Sequence, residues 1–212
     1  MSASGRFVTF EGIEGVGKST QVQLAAEWLR QEGLEVVVTR EPGGTPLAEA
    51  IRRLVLEPHA DRVDGVAELL LMFAARSIHL TNLIEPALAR GAWVLCDRFT
   101  DATEAYQGAG RGVPIEYVRT LERIAQQGRR PELTLLLDAP VDLAMDRSRR
   151  RGAQNDRFEA ERAEFFQRVR QGYLDIAARE PARMLQLDAS RDVGPIAADI
   201  RHALQRLRDG SA

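Results

Sequence analysis

The chain has 212 residues, is 44% hydrophobic and carries a net charge of −2. That length suits one α/β domain over residues 1–212, with enough chain to bury a core. The near-neutral balance removes any whole-chain reason to expect nucleic acid or an anionic membrane as partner.

Cys96 is the sole cysteine, which excludes an intrachain disulfide and a multi-cysteine metal site. It lies in the apolar run AWVLC and reads as a buried strand residue, not a catalytic thiol. The start, MSASGRF, has no apolar signal core, and no apolar run approaches the roughly 18 residues of a membrane span. A reducing cytoplasm is the expected compartment.

In chain order, RFVTFE (6–11) reads as a strand and Lys18 to about Gln31 as a helix. LEVVVTR (34–40) is a second strand, closed by the turn-rich EPGGTP. Pro46 to Leu56 has helical spacing of Leu47, Ile51, Leu54 and Val55. Val66 to Ala89 is a long helical stretch, dense in apolar residues and buried in the core or at a subunit contact. AWVLCD (92–97) is a third strand, and Pro114 to Gln127 a helix with Pro114 in its first turn. LTLLLD (133–138) is a fourth strand, apolar throughout, as when both sheet faces are covered. Helices follow from about 141 and from about 158 to 179. RMLQLDA (183–189) is a fifth strand, and a last helix runs from about Val193 to Leu207. Strands separated by helices predict a parallel sheet with right-handed crossovers and ligands at its carboxyl edge.

FEGIEGVGKST (10–20) holds the spacing Gly12-x-x-x-x-Gly17-Lys18-Ser19 between a strand and a helix. This is a phosphate-binding loop. Its glycines let backbone N–H groups turn toward phosphate oxygens, and the helix N-terminus adds partial positive charge. Lys18 is placed to reach the β- and γ-phosphates and Ser19 to meet Mg²⁺. The expected ATP contacts are Gly12, Ile13, Glu14, Gly15, Val16, Gly17, Lys18, Ser19 and Thr20.

Four further stretches accompany the loop: TREPGGT (39–45), FAAR (73–76), CDRFTDATEAYQGAGRG (96–112) and RSRRRGAQNDRFE (147–159). Together they resemble the bacterial thymidylate kinases, in order from about residue 6 to 190. The resemblance implies a phosphate-loop kinase fold: a parallel sheet with helices on both faces and a small arginine-rich lid at about 147–158. It implies phosphoryl transfer from ATP to dTMP, giving dTDP and ADP for dTTP synthesis, with Mg²⁺ and usually a homodimer. No nucleic acid or membrane partner is expected.

Carried onto this sequence, the resemblance gives Arg98 the acceptor phosphate, which an arginine can hold bidentately. Asp97 stands where a carboxylate can order Mg²⁺ with Ser19; a structural Asp–Arg pair is the alternative. Phe73 is expected to stack on the thymine and Arg76 to reach its O4. Many members have the phenylalanine four residues before the arginine, where this chain has Met72; Phe73 could instead be core. Glu41 and Pro42 are expected to line the acceptor pocket, or Glu41 to serve a salt bridge. Thr103, Tyr106 and Gln107 are expected over base and sugar, on a short helix. A serine often stands where this chain has Ala102, leaving Thr103 for the base edge. Glu14 is expected to accept from the 3′-hydroxyl of the acceptor sugar, with a solvent-facing charge as the bland alternative.

Arg147, Arg149, Arg150, Arg151 and Arg157 make a charge run. Alone, such a run reads as a solvated face or a nucleic-acid patch. In a phosphotransferase, a closing lid can instead bring an arginine to the transferred phosphoryl. Some members carry a basic residue inside the phosphate loop, where this chain has Gly15-Val16. In that respect it resembles the enterobacterial type, with Arg149, Arg151 or Arg157 as the catalytic lid arginine beside Lys18, Arg98 and Glu14. Another phosphate-loop nucleoside or nucleotide kinase is the alternative function, and a regulatory ATPase a more remote one.

Overall fold

The computed structural model describes residues 5–57, 60–61, 63–150 and 159–210, with backbone alone at 159–161. Strands β1 (Arg6–Glu11), β2 (Val36–Arg40), β3 (Trp93–Asp97), β4 (Leu133–Asp138) and β5 (Met184–Asp188) form one parallel sheet in the order β2-β3-β1-β4-β5. Between them lie α1 (Lys18–Gln31), α2 (Pro46–Leu56), α3 (Gly65–His79), α4 (Glu85–Ala89), α5 (Thr100–Thr103), α6 (Ile115–Gln126), α7 (Val141–Arg150) and α8 (Glu159–Arg179), and α9 (Val193–Asp209) follows β5.

The pleat of β1 shows why its run is apolar on both sides. Phe7 packs with Leu80, Ile84, Ala87, Val94 and Cys96. Its neighbours Val8 and Phe10 pack on the other face with Leu95, Leu135 and the α1 residues Val22, Ala25 and Leu29. Each fully buried aliphatic or phenyl side chain contributes roughly 1.5–3 kcal/mol, so the central strands bind helices to both faces.

The long stretch expected over 66–89 is continuous but not regular. A π-helical turn, Leu80–Ile84, separates α3 from α4. Pro86 follows it and has no N–H to give to the preceding turn, so the hydrogen-bond ladder must shift there. Gly65–Ala89 is also long and apolar enough by composition for a membrane span, contrary to the sequence expectation. In the fold its Leu69, Phe73, Leu80, Ile84 and Ala87 are buried, together with polar Arg76 and His79. Pro114 caps α6 with extended ψ and does not sit in its first turn.

Register sets the site. Phe10 pairs with Asp97 on β3 and Leu135 on β4, and Arg40 pairs with Asp97. The residues that follow, at 11–19, 41–45 and 98–107, therefore leave one carboxyl edge together. β1 is flanked by β3 on one side and β4 on the other, so chain connections diverge there. Such a switch point opens a crevice for ligands.

Glu11 ends β1 under that crevice. It accepts from Phe99 N–H at 2.7 Å and from Tyr173 Oη at 2.8 Å. Burial, and next the Asp101 charge, push its carboxyl up to about 8. A raised folded-state value stabilises the fold fully below the unfolded value and loses that contribution as pH rises through about 8. Glu11→Gln mimics the protonated acid. The wild-type Tm minus the Glu11→Gln Tm should therefore fall between pH 5 and pH 8; a pH-independent difference would contradict this assignment.

Candidate active site

Two cavities share a wall at the carboxyl ends of β1, β2 and β3. The first, about 460 Å³, is lined by Glu14, Gly15, Gly17, Lys18, Ser19, Asp97 and Ser148 together with Arg40, Glu41, Arg52 and Arg98. The second, about 610 Å³, reaches toward α3 and α8 past Pro42, Glu68, Met72, Arg76, Tyr106, Gln107, Arg111, Phe165 and Phe166. Glu14, Glu41, Arg52 and Arg98 belong to both.

The first cavity is built for an anion. Gly17 is in the left-handed region and caps α1 with no side-chain acceptor. The N–H groups of the first turn are thus left for a ligand. Gly15 has φ 88, and a Cβ there would collide with the Ala144 carbonyl. Ile13 and Val16 turn their side chains into the core, so only their backbone is offered. Thr20 is exposed beside it on α1. Lys18 is buried and donates to the Gly12 and Ile13 carbonyls, each at 2.9 Å. Burial, and next the Arg98 charge, push it down to about 7. Burial and Arg40 likewise lower Arg52. Glu49 holds Arg40, and Arg76 with His79 holds Glu41. Lys18 and Arg52 each feel the Arg98 charge as repulsion, opposed by Asp97 and, at Lys18, by Glu11 and Glu14, and a polyanion relieves the mutual repulsion of these cations.

Arg98 occupies the shared wall in a left-handed conformation, φ 72. A non-glycine residue there costs about 1–3 kcal/mol and persists only if its surroundings over-determine it. Its N–H donates to Phe10 O at 2.9 Å, and the next N–H is the one held by Glu11. Its guanidinium lies 4.8 Å from the Tyr106 ring centre, and Nη2 donates to Tyr106 Oη at 2.8 Å. Nε is buried with no protein partner.

Ser19 Oγ and Asp97 Oδ2 stand 3.5 Å apart beside the loop. Among the described residues, no group of three or more His, Cys, Asp or Glu could hold a metal alone. One hydroxyl and one carboxylate beside an anion loop fit Mg²⁺, which keeps waters and substrate oxygens for most of its shell.

In the second cavity, Arg76 is fully enclosed. Nε donates to Glu41 Oε2 at 2.7 Å, and Nη2 to Thr103 Oγ1 at 2.8 Å and Phe99 O at 3.1 Å. Nη1 has no partner. His79 Nδ1 meets Glu41 Oε1 at 3.0 Å, and its Nε2 shares a hydrogen bond of 2.7 Å with Thr39 Oγ1. Glu41 keeps both of its expected readings: it lines the cavity and is a buried ion-pair residue that holds Arg76. Two expectations change here. Thr103 is fully buried, accepts from Arg76 and is not among the residues lining the cavity, so it does not stand at a base edge. Phe73 packs with Leu69, Val113 and Val118, while Met72 lines the cavity. Glu68, Met72 and Arg76 recur every four residues on α3 and form the cavity stripe.

Glu14 accepts from Ser148 Oγ at 3.0 Å and lies 3.6 Å from Arg162 Nη2. Arg149 pairs with Asp146 and lines a separate groove between α7 and α8, not the loop cavity. Arg151 and Arg157 lie outside the described residues. Arg52, Glu68, His79, Arg111 and Arg162 were not singled out by sequence; only the spacing of four and eight residues before Arg76 could have added Glu68 to Met72.

The fold and these joined cavities define a phosphate-loop phosphotransferase with an acceptor pocket of small-molecule size. The chain belongs to the thymidylate kinase family, whose model matches residues 10–200. It is 57% identical over 209 residues to the thymidylate kinase of Chromohalobacter salexigens, covering 98% of this chain and 99% of that one. It is 51% identical over 202 residues to that of Teredinibacter turnerae, covering 95% and 98%. The crystal structure of thymidylate kinase from Ehrlichia chaffeensis superposes with a TM-score of 0.77 at 34% identity, over 95% of this chain and 99% of the other.

Glu41→Ala would leave the Arg76 guanidinium buried without its carboxylate. Losing one partner of a buried pair costs about 3–5 kcal/mol, read from urea unfolding. A cost below about 1 kcal/mol, the range of exposed pairs, would show that Glu41 is not the counter-charge described.

Proposed function

We propose that the chain phosphorylates dTMP with ATP across the wall shared by its two cavities, with the triphosphate at the loop and the acceptor base against α3. The shared wall carries this reading, because Glu14, Arg52 and Arg98 face both sides of it. A phosphate oxygen of dTMP forms a bond to the γ-phosphorus of ATP. The bond from that phosphorus to the β–γ bridging oxygen breaks, and its electron pair leaves with ADP. No general base is required, since a phosphate monoester with a second pKa of about 6 is already largely dianionic near pH 7.

Lys18 and the loop N–H groups hold the β- and γ-phosphates. Arg98 holds the acceptor phosphate, its orphaned Nε offering a donor. Ser19 and Asp97 would hold Mg²⁺, which supplies charge neutralisation on the triphosphate. Met72 forms the platform under the base, a polarizable thioether in place of a ring. Glu14 faces the acceptor sugar from a carboxylate steadied by Ser148. Residues 147–158 act as the lid and bring an arginine to the transferred group. A homodimer belongs to the same reading, supported by exposed Leu47 and Leu54 on α2 and Val66 and Leu70 on the neighbouring α3; a monomer mass by light scattering would exclude it. So does a cytoplasmic location, which activity confined to a membrane fraction would contradict.

Lys18→Met and Arg98→Ala should each lower kcat by about 100-fold or more while circular dichroism stays native. Either variant retaining most of its turnover would remove the scheme. Among Arg149→Ala, Arg151→Ala and Arg157→Ala, at least one should lose about 100-fold in kcat; three near-normal enzymes would discard the lid role.

A further inference from the structure

Gln107 lies in a second π-helical segment, Glu104–Gly110, held close to α8 where Gly110 meets Phe165 and Val169. It is 4% exposed. Its Nε2 donates to Glu68 Oε1 at 2.7 Å, and its Oε1 is buried in the cavity wall without a partner. The other Glu68 oxygen lies 2.9 Å from Arg111 Nη2.

A carboxylate paired with a guanidinium only accepts hydrogen bonds. Gln107 can therefore give Glu68 only its NH₂ end. The amide direction is fixed by this chemistry, and the carbonyl is left as the unpartnered end of a cavity-lining side chain. Reversing it would set two acceptors against each other in a buried place, at the cost of an unmade hydrogen bond.

We propose that Glu68 is a positioning residue that sets the polarity of the Gln107 amide and, through it, the choice of pyrimidine base. The proposal rests on reading this cavity as the acceptor-base pocket. Arg76 Nη1 contributes one unpartnered donor and Gln107 Oε1 one unpartnered acceptor. A base with a 4-oxo group and an N3–H offers the complementary acceptor and donor. Cytosine offers a 4-amino donor and a bare N3 acceptor, the reverse at both atoms. A polar site left unpaired in this way rejects the wrong ligand more strongly than an apolar one.

Glu68→Gln tests this, because its side chain can donate to Gln107 and so permits the reversed amide. We measure kcat/KM for dTMP and dCMP, and KM for ATP, by coupled ADP release. The dTMP-to-dCMP ratio should shrink by about tenfold or more, with KM for dTMP raised and KM for ATP unchanged. A purely structural role would lower both acceptors equally and leave the ratio alone, and that result overturns the proposal. Should Glu68→Gln fold poorly, Gln107→Leu decides: it removes the acceptor outright, so an unchanged ratio again overturns it. Wild-type protein inactive on dTMP would overturn the activity reading along with this one. Active wild type with unchanged variant ratios would overturn this one alone.

Discussion

The Glu41 carboxylate lies in the floor of the site with almost no water around it, and it is tolerable there because Arg76 and His79 both donate to it. An uncompensated charge at that depth would cost far more than a fold of this size can absorb. The pairing in turn fixes everything around it. Thr39, His79, Glu41, Arg76 and Thr103 form one hydrogen-bonded chain joining β2, α3 and α5. With Nε and Nη2 occupied, Arg76, which lines the cavity, keeps Nη1 as its one unpartnered donor nitrogen. Rigid placement of this kind removes the entropy that a free arginine would lose on binding.

Across the wall the logic is reversed. Around the phosphate loop the cations crowd one another; burial, and next the Arg98 charge, push Lys18 down to about 7. In the α3 cavity the buried charges are paired, and Arg76 Nη1 and Gln107 Oε1 are left without partners; the loop cavity is suited instead to a polyanion. Arg98 belongs to both sides and is held in a left-handed conformation by β1 on one side and Tyr106 on the other. Glu11 secures the following residue from beneath, so the turn that aims Arg98 is built into the sheet edge.

The sheet was legible in the sequence because its central strands are covered on both faces and so are apolar at consecutive positions, as in LTLLLD. The phosphate loop was legible because its glycines need conformations other residues avoid. The phase of α3 was not. Phe73 and Met72 stand three and four residues before Arg76, and both spacings place side chains on one helix face. Only the contacts of the ring with Leu69 and Val118 decide between them. Glu41 reads equally as ligand or ion pair from its strand end. The deciding partner, His79, is 38 residues away and carries no local signal. Arg149 of the arginine run shows the same limit: sequence gives its charge but not its direction, and it turns to Asp146.

The central claim is that the two cavities hold donor and acceptor at once, so that ADP release requires the right acceptor. The most direct measurement is ADP release from MgATP with dTMP, with UMP and with no acceptor. Rapid release with dTMP, little with UMP and almost none without acceptor is the predicted result. Equal release in all three would mean that water takes the phosphoryl group and that the α3 cavity is not the acceptor site.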